Sequence, residues 1–471
     1  MFETYDDVRR FIADADIEMI DLRYTDPWGR WHNVTFPAAR FTPALLEDGV
    51  GFDGSAVGLR GIESGDMVLV PDLTTGSRDP FAEVATLGFL CTTLESEQRQ
   101  PFSDDPRNVA RRAEEYLRES GIATESRWGP EFEFFVFDAA YFENEVNRSS
   151  FRIESREGGW DESGHGRPVD LAGGYHAIAP KDQLHDLRTE ISMLLEGMGV
   201  PIKYHHHEVG GPGQVEIETQ LLGLTEAADK AMLVKYVAKM VAQRHGQTAT
   251  FMPKPLFGVA GSGMHFHQQL LGDGVNLFHD DAGYGSLSEL AHQYVAGLLT
   301  HAPALLALTN PSTNSYRRLV PGYEAPVNAF FSVGNRSAAV RIPGYTNRPE
   351  ATRIEFRPPD ATCNPYLAVA AQLMAGLDGI RRRLDPTEAG FGPIDEDIFS
   401  WTEERRRQVG RLPGTLEEAL TALEADHAFL LEGDVFTEDL VDHWVRHKRE
   451  KEARAVRIRP HPYEVMMYFD V

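Results

Sequence analysis

Residues Tyr204 to Glu218 read YHHHEVGGPGQVEIE and set three histidines and three glutamates within fifteen positions. The end of this stretch, Glu216-Ile217-Glu218, alternates ionisable and apolar side chains. The same alternation returns in Glu131-Phe132-Glu133, His265-Phe266-His267 and Arg353-Ile354-Glu355-Phe356-Arg357. A period of two is that of a β-strand, whose successive side chains point to opposite faces. One such run describes an ordinary strand with a solvated face. Four of them, flanked by glycine and proline and rich in Glu and His, read as one sheet whose polar face lines a site for hard, oxygen-preferring cations. Burying that many carboxylates without counter-ions costs several kcal/mol per ion.

Glu131 and Glu133 follow Gly129-Pro130 and lead into Phe134-Phe135-Val136-Phe137, a run apolar enough to be a buried strand. Glutamates are almost never fully buried unless paired; an edge strand with solvated acids is the other reading. The turn Gly210-Gly211-Pro212-Gly213 brings Glu208 near Glu216. A run of three histidines reads by itself as incidental surface sequence, so the glutamates are the candidate ligands. In Gly261-Ser262-Gly263-Met264-His265-Phe266-His267 the glycines suit a backbone that approaches something closely. No Lys-Ser/Thr follows as in a phosphate loop, and tight packing and ligand contact both fit. Arg317, Arg318, Arg336, Arg341, Arg353 and Arg357 gather among proline- and glycine-containing loops. Arginine grips carboxylate and phosphate bidentately; surface ion pairing is the alternative, and the loop setting argues against it.

The chain has 471 residues, enough for two domains. Its net charge of −26 argues against nucleic-acid or anionic-membrane partners. An anionic substrate would meet a repulsive overall field, so arginines and cations must be concentrated where it binds. Cys91 and Cys363 fit neither a disulfide framework nor a metal spacing, as expected in a reducing cytosol. The N-terminal MFETYDDVRRF lacks the basic and apolar regions of a secretory signal. No apolar run reaches the roughly 18 residues of a membrane span. The expectation is a cytoplasmic protein with no membrane partner.

In chain order, the sequence predicts a helix from Thr4, its cap, to Ile12. A hairpin follows, from Met19–Tyr24 through Asp26-Pro27-Trp28-Gly29 to Trp31–Phe36. Gly51 to Ser55 reads as a loop, and Met67–Pro71 and Thr86–Thr92 as further strands. Residues 1–103 thus form a small sheet-rich domain, closed by the Pro101–Pro106 boundary, and residues 104–471 a larger one. Helices are expected over Asn108–Ser120, Asp182–Met198, Glu226–His245, Leu287–His301, Tyr366–Arg383, Thr415–Leu431 and Thr437–Lys451. Residues 138–170 read as an irregular insertion.

Taken in order, nine stretches carry a family resemblance: FDGS from Phe52, GPEFEFF from Gly129, HHHEV from His205, MPKP from Met252, GSGMHFH from Gly261, NSYRRLVPGYEAP from Asn314, NRSAAVRIP from Asn335, RIEFRPPD from Arg353 and NPYLA from Asn364. Together they resemble the bacterial type I glutamine synthetases, and the 138–170 segment resembles the beta subgroup. The resemblance implies an α+β fold, with a small N-terminal beta-grasp domain and a large catalytic domain built on an antiparallel sheet lined by metal ligands. It implies a homo-oligomer, a dodecamer of two stacked hexameric rings with active sites between neighbouring subunits. The implied substrates are L-glutamate, ammonium and ATP, with two or more divalent cations, Mg²⁺ or Mn²⁺.

Carried over by motif, Glu133, Glu208 and Glu216 resemble the ligands of one cation, and Glu131, His265 and Glu355 those of a second. Arg318 and Arg357 resemble the binders of the glutamate carboxylate, with Gly261 and Tyr175 also on the substrate. Arg336 and Arg341 resemble phosphate binders; His267 and Arg353 resemble nucleotide contacts. Asp53 resembles the ammonium-binding base and Glu324 the flap residue that shields the intermediate. The activity implied is ATP-dependent glutamate–ammonia ligation; ligation of an organic amine such as a polyamine or ethanolamine, or a non-catalytic ring-forming role, are the alternatives. Departures from the family pattern are Ala56 for a serine, Val259-Ala260 for Asp-Asn, and Lys203, Leu221 and Gln269 for a Glu, a Phe and a Ser around the nucleotide. Residues Pro386 to Pro413 contain no tyrosine, and Phe399 stands about where relatives place the one that is nucleotidylated.

Overall fold

In the computed structural model, which describes residues 2–160, 168–323, 325–345 and 348–471, two sheets organise the chain. The first belongs to the N-terminal region. Strands β1 (Met19–Thr25), β2 (Trp31–Pro37), β3 (Val50–Asp53), β4 (Asp66–Pro71) and β5 (Thr86–Glu95) order as β2-β1-β5-β4-β3. β1 and β2 form the expected hairpin, with Met19 opposite Pro37, while β1 runs parallel to β5. Helix α1 (Tyr5–Asp14) starts at a capping box made by Thr4 and Asp7. It buries Val8 and Ile12 against Ile20, Leu22, Leu87 and Phe89. Of the stretch Gly51 to Ser55 expected to be loop, residues 51–53 belong to strand β3: Val50 and Phe52 are half-buried, alternate with exposed positions, and pair along β4.

The second sheet positions the site. Its strands are β6 (Glu125–Phe137), β7 (Ile202–His207), β8 (Gln214–Thr219), β9 (Phe266–Gly272), β10 (Asn328–Val333), β11 (Ala338–Ile342) and β12 (Ile354–Phe356), ordered β7-β8-β6-β9-β12-β11-β10. All neighbours are antiparallel except β10 and β11. The four alternating runs therefore do share one sheet. Their apolar partners Phe132, Phe134, Val215, Ile217, Phe266, Ile354 and Phe356 face one buried core with the helices. Those helices are α2 (Pro106–Glu119), α3 (His185–Gly197), α4 (Leu224–Arg244), α5 (Glu289–Thr309), α6 (Pro365–Arg382), α7 (Leu416–Ala425) and α8 (Glu438–His447).

Helix ends differ from expectation where burial overrides local signals. α5 runs eight residues past His301, through Pro303, because Ala304 to Leu308 are buried and hold the helix together. The segment expected to be one helix to Leu431 breaks after Ala425 and resumes at Ala428. Residues 138–170 are not irregular throughout: Ala139–Asn144 and Ser149–Glu154 pair as a hairpin. The two sheets are tied together by Asn364, whose side-chain amide donates to the Asp26 and Pro27 carbonyls at 3.1 and 3.0 Å. Arg107 adds a bidentate pair with Asp229 at 2.8 Å and a contact to Asp72. No helix among the described residues is long and apolar enough to cross a membrane.

His301 is a buried electrostatic joint. Its Nδ1 and Nε2 each lie 2.8 Å from a carboxylate, Asp426 and Asp378, joining α5 to the end of α7 and to α6. Burial pulls its pKa down, and the bonds and charges of the two aspartates outweigh this, leaving it above the ordinary histidine value. A raised folded-state pKa contributes stability in full below the unfolded value of about 6.5 and loses it as pH rises through the folded value. His301→Gln is expected to lower unfolding stability by about 2 kcal/mol at pH 6, with a smaller deficit at pH 9, in urea titrations. A deficit independent of pH would contradict this account.

Candidate active site

The ladder between β6 and β8 sets Glu216 opposite Glu133 and Glu218 opposite Glu131. Like charges directly opposite on one face destabilise a sheet, and all four residues are buried. β9 brings histidines to them. His265 Nδ1 lies 3.1 Å from Glu131 and 3.5 Å from Glu355, and His267 Nε2 lies 2.7 Å from Glu131. From β7, His206 reaches Glu208 with one ring nitrogen and Glu216 with the other, both at 3.4 Å. Three trios bring ligand atoms within 4.8 Å of one another here: Glu131, His265 and Glu355; Glu131, Glu218 and His267; His206, Glu208 and Glu216.

Arginines close the other side. Glu355 is gripped by Arg341 and Arg357. Arg318 donates to the Pro358 carbonyl at 2.7 Å and to His265 Nε2 at 3.1 Å. That bond makes Nε2 the acceptor, so the His265 proton sits on Nδ1, between the carboxylates of Glu131 and Glu355. Arg353 Nε donates to His267 Nδ1 at 3.2 Å, and Arg357 donates to the Arg336 carbonyl. Gly263 leaves room for two site residues: an added Cβ would stand 2.5 Å from Arg318 Nη2 and 2.6 Å from His265 Nε2, so both would have to shift. Its N–H also donates to Glu133 at 2.8 Å. The glycines of Gly261-Ser262-Gly263 thus serve packing and the site at once.

The electrostatics are divided. Burial first, then Glu216 and Glu133, push the Glu208 carboxyl well above the usual range; burial and then Glu131 and Glu133 do the same to Glu216. Burial also opposes ionisation of Glu131 and Glu355, but it is outweighed. His267 and His265 hold Glu131 well below its ordinary value, and Arg357 and Arg341 draw Glu355 down to about 2. Hard oxygen donors, clustered histidine nitrogens and two carboxyls that resist ionisation without a counter-charge fit divalent cations such as Mg²⁺ or Mn²⁺. Glu208 Oε2 and Glu218 Oε2 are buried without a hydrogen-bond partner, which agrees with that fit.

Most of the sequence-derived candidates line one cleft of about 110 Å³: Glu131, Glu133, Glu208, Glu216, His265, Glu355, Tyr175, Gly261, Arg318, Arg336, Arg341 and Arg357. His267 and Arg353 adjoin it through Glu131. Asp53 does not line it. It is exposed on the N-terminal sheet, where bonds from the Ser55 hydroxyl and N–H hold its carboxyl below the usual range. Glu324 lies outside the described residues. The histidine run is not incidental surface: His207 is fully buried and His206 bridges two of the glutamates. Glu218 was also missed as a site member, although its place two residues after Glu216 puts it on the same face. Of the departures, Lys203 pairs with Glu218 at 2.5 Å, Ala260 lines the cleft, and Val259 packs against Phe135 and Phe137.

A buried, carboxylate-lined sheet face meeting a guanidinium cluster, beside a separate mixed N-terminal sheet, has the chemistry of an enzyme that binds divalent cations and anionic groups. The chain matches the models "Glutamine synthetase, catalytic domain" over residues 103–468 and "Glutamine synthetase, beta-Grasp domain" over residues 16–96. It is 48% identical to a glutamine synthetase of Streptomyces coelicolor and 47% identical to one of Frankia alni, with 100% of each chain covered. Among solved structures it is similar to the Plasmodium falciparum glutamine synthetase, with a TM-score of 0.90 at 26% identity over 99% of both chains. It is also similar to GmaS in complex with ADP, with a TM-score of 0.81 at 27% identity, covering 98% of this chain and 99% of the other. The chain belongs to the glutamine synthetase family.

The repulsion between Glu216 and its neighbours gives a direct test of the cation site. In protein freed of divalent ions, Glu216→Gln is expected to raise the thermal midpoint, because a buried like charge is removed. Mn²⁺ at a hundred times its dissociation constant should stabilise the wild type by about 3 kcal/mol and the variant by much less. A variant that gains as much from Mn²⁺ as the wild type would refute the site.

Proposed function

We propose that this chain is an ATP-dependent glutamate–ammonia ligase, forming L-glutamine, ADP and phosphate through γ-glutamyl phosphate. One observation carries the reading beyond family membership. In a single cleft the carboxylates of Glu131, Glu133, Glu208 and Glu216 adjoin the guanidinium groups of Arg318, Arg336, Arg341 and Arg357, so a cation site and an anion site share a wall.

The γ-carboxylate of glutamate is a poor electrophile, and phosphorylation by ATP gives it a leaving group. Divalent cations, Mg²⁺ or Mn²⁺, held by Glu133, Glu208 and Glu216 and by Glu131, His265 and Glu355, supply charge stabilisation to the phosphates. Arg336 and Arg341 are assigned to the oxygens of the transferring phosphoryl group. Arg318 and Arg357, beside Gly261, are assigned to the carboxylate of glutamate, and His267 and Arg353 to the nucleotide. Tyr175, Asp53, Glu208 and Glu324 are assigned to ammonium: anionic and π-rich groups displace its water and remove a proton before attack on the acyl phosphate. A closed pocket also keeps that intermediate from hydrolysis.

Asp53 does not line this cleft in its own chain, which suits a ring in which one subunit's Asp53 completes its neighbour's site; we infer a dodecamer of two hexameric rings. The hairpin at 139–154 and the absence of tyrosine from 386–413 accompany our assignment to the type I beta subgroup, in a form that escapes nucleotidylation. We divide the chain at residues 103 and 104 and place the enzyme in the cytoplasm. Ala56 removes a hydroxyl beside Asp53 but opens little volume, which favours ammonium over bulkier amines, with weakened affinity.

The deciding assay offers glutamate, ATP and Mg²⁺ or Mn²⁺ with ammonium, putrescine or ethanolamine. Ammonium is expected to support turnover, and glutamine undetectable at saturating ammonium beside clear turnover of an organic amine would replace this reading. Asp53→Ala should cut glutamine formation at least a hundredfold while leaving binding of ATP and glutamate within about twofold, measured by calorimetry. Incubation with an adenylyltransferase and labelled ATP should leave the protein unlabelled and active; a labelled, inactivated product would contradict the regulatory part.

A further inference from the structure

Outside the cleft, Glu157 is a fully buried acid in the turn that follows the 139–154 hairpin. It is 0% exposed, and three donors converge on its two oxygens. The Gln183 N–H donates to Oε1 at 2.8 Å; the Gly213 N–H donates to Oε2 at 2.8 Å; His207 Nε2 lies 3.0 Å from Oε2. The other nitrogen of His207, Nδ1, lies 3.0 Å from the Glu208 carbonyl. Through its two ring nitrogens, His207 bridges Glu157 to the Glu208 backbone. Asp182, also nearby, is taken up by Arg188 and the Leu184 N–H. The trio Glu157, Asp182 and His207 is therefore a closed polar network with its ligand atoms already engaged.

Each arm of this network ends on a part of the site. Gly213, at φ +86°, closes the turn between Glu208 and β8, and its carbonyl accepts from Val136 of the strand that carries Glu131 and Glu133. The Gln183 arm fixes the far end of the loop that holds Tyr175. Near Tyr175, the His176 N–H donates to the His207 carbonyl at 3.0 Å. Gly174 presses on the same point: an added Cβ would overlap the Glu208 carbonyl and stand 2.6 Å from the His207 ring. One carboxylate thus sets the spacing between the amine-pocket loop and the turn that presents Glu208.

We propose that Glu157 is a positioning residue that holds Tyr175 and Glu208 in register, coupling the amine pocket to the cation site. The proposal rests on the ligase reading above. It acts through His207 and Gly213 and touches no substrate. Its replacement by glutamine puts an amide nitrogen, itself a donor, against one of the three converging donors. Its replacement by aspartate keeps the charge and withdraws it by one methylene.

The test uses the full-length assembled protein, with Mn²⁺ binding followed by electron paramagnetic resonance and steady-state kinetics measured for each substrate. Glu157→Gln is expected to raise the Mn²⁺ dissociation constant and the KM for ammonium by about tenfold or more, with the KM for ATP within about twofold, and Glu157→Asp to recover part of both. A uniform fall in kcat with unchanged Mn²⁺ affinity and unchanged KM values would mean a structural role only and overturn the proposal. Should Glu157→Gln fail to assemble, Gly174→Ala pushes on the same point from the loop side and should give the same paired signature; its absence counts against the proposal equally. Wild type that binds Mn²⁺ but makes no glutamine would sink the ligase reading and leave the Mn²⁺ comparison standing. Wild type that makes glutamine, with unaltered variants, would sink this proposal alone.

Discussion

Four carboxylates facing one another across a single antiparallel ladder are the constraint around which this protein is built. Glu133 opposite Glu216 and Glu131 opposite Glu218 is a register that no sheet adopts for its own stability. It is held by the other face of the same strands, where Phe132, Phe134, Val215 and Ile217 are fully buried. Because side chains alternate with a period of two, sliding the ladder by one residue would expose all four apolar groups and bury the acids in the core. The hydrophobic face thus fixes the polar face. The helices packed behind it, α3 and α4, supply the buried area that makes the repulsion tolerable.

The surroundings divide the acids into two unequal groups. Glu131 and Glu355 are already compensated by His265, His267, Arg341 and Arg357, and their carboxyls are held low. Glu208 and Glu216 have His206 between them; burial pushes both up, helped by Glu216 and Glu133 at Glu208 and by Glu131 and Glu133 at Glu216. Negative charge in the cleft is therefore least matched at the Glu208–Glu216 end. At the other end the histidines and arginines already supply positive charge to Glu131 and Glu355.

Much of this was legible in the sequence, for a physical reason. Alternation of Glu with Phe or Ile cannot be satisfied by a helix, so the four strands and their shared sheet followed from periodicity. What periodicity could not give was depth. His207 in a run of three histidines carries no sign that it is fully buried, since its partner Glu157 lies fifty positions away in a segment whose composition reads as loop. Glu218 obeyed the same alternation as Glu216 but fell outside the family's ligand pattern, and so was passed over. The stretch Gly51 to Ser55 reads as loop because of its glycines, whereas pairing with β4 makes residues 51–53 strand. Helix α5 continues past Pro303 for a tertiary reason, the burial of the apolar turn beyond it.

The departure at position 203 shows how two unusual residues make one ordinary environment. The family resemblance leads one to expect an acid there, close to the nucleotide, and a lysine looks like a disruption. Glu218, however, is 1% exposed and sits within reach of His267 at 3.6 Å, adding a further negative charge to an already crowded wall. Lys203 meets it at 2.5 Å and lies 4.9 Å above the ring of Tyr204. An acid at 203 would face Glu218 as a like charge in a half-buried place and raise the cost of ionising both. With lysine there, the ammonium offsets the extra carboxylate and leaves Glu131 free to work with the histidines. The change at 203 is therefore better understood as the counter-charge that Glu218 requires than as a loss at the nucleotide, and any variant at one of these positions has to be judged together with the other.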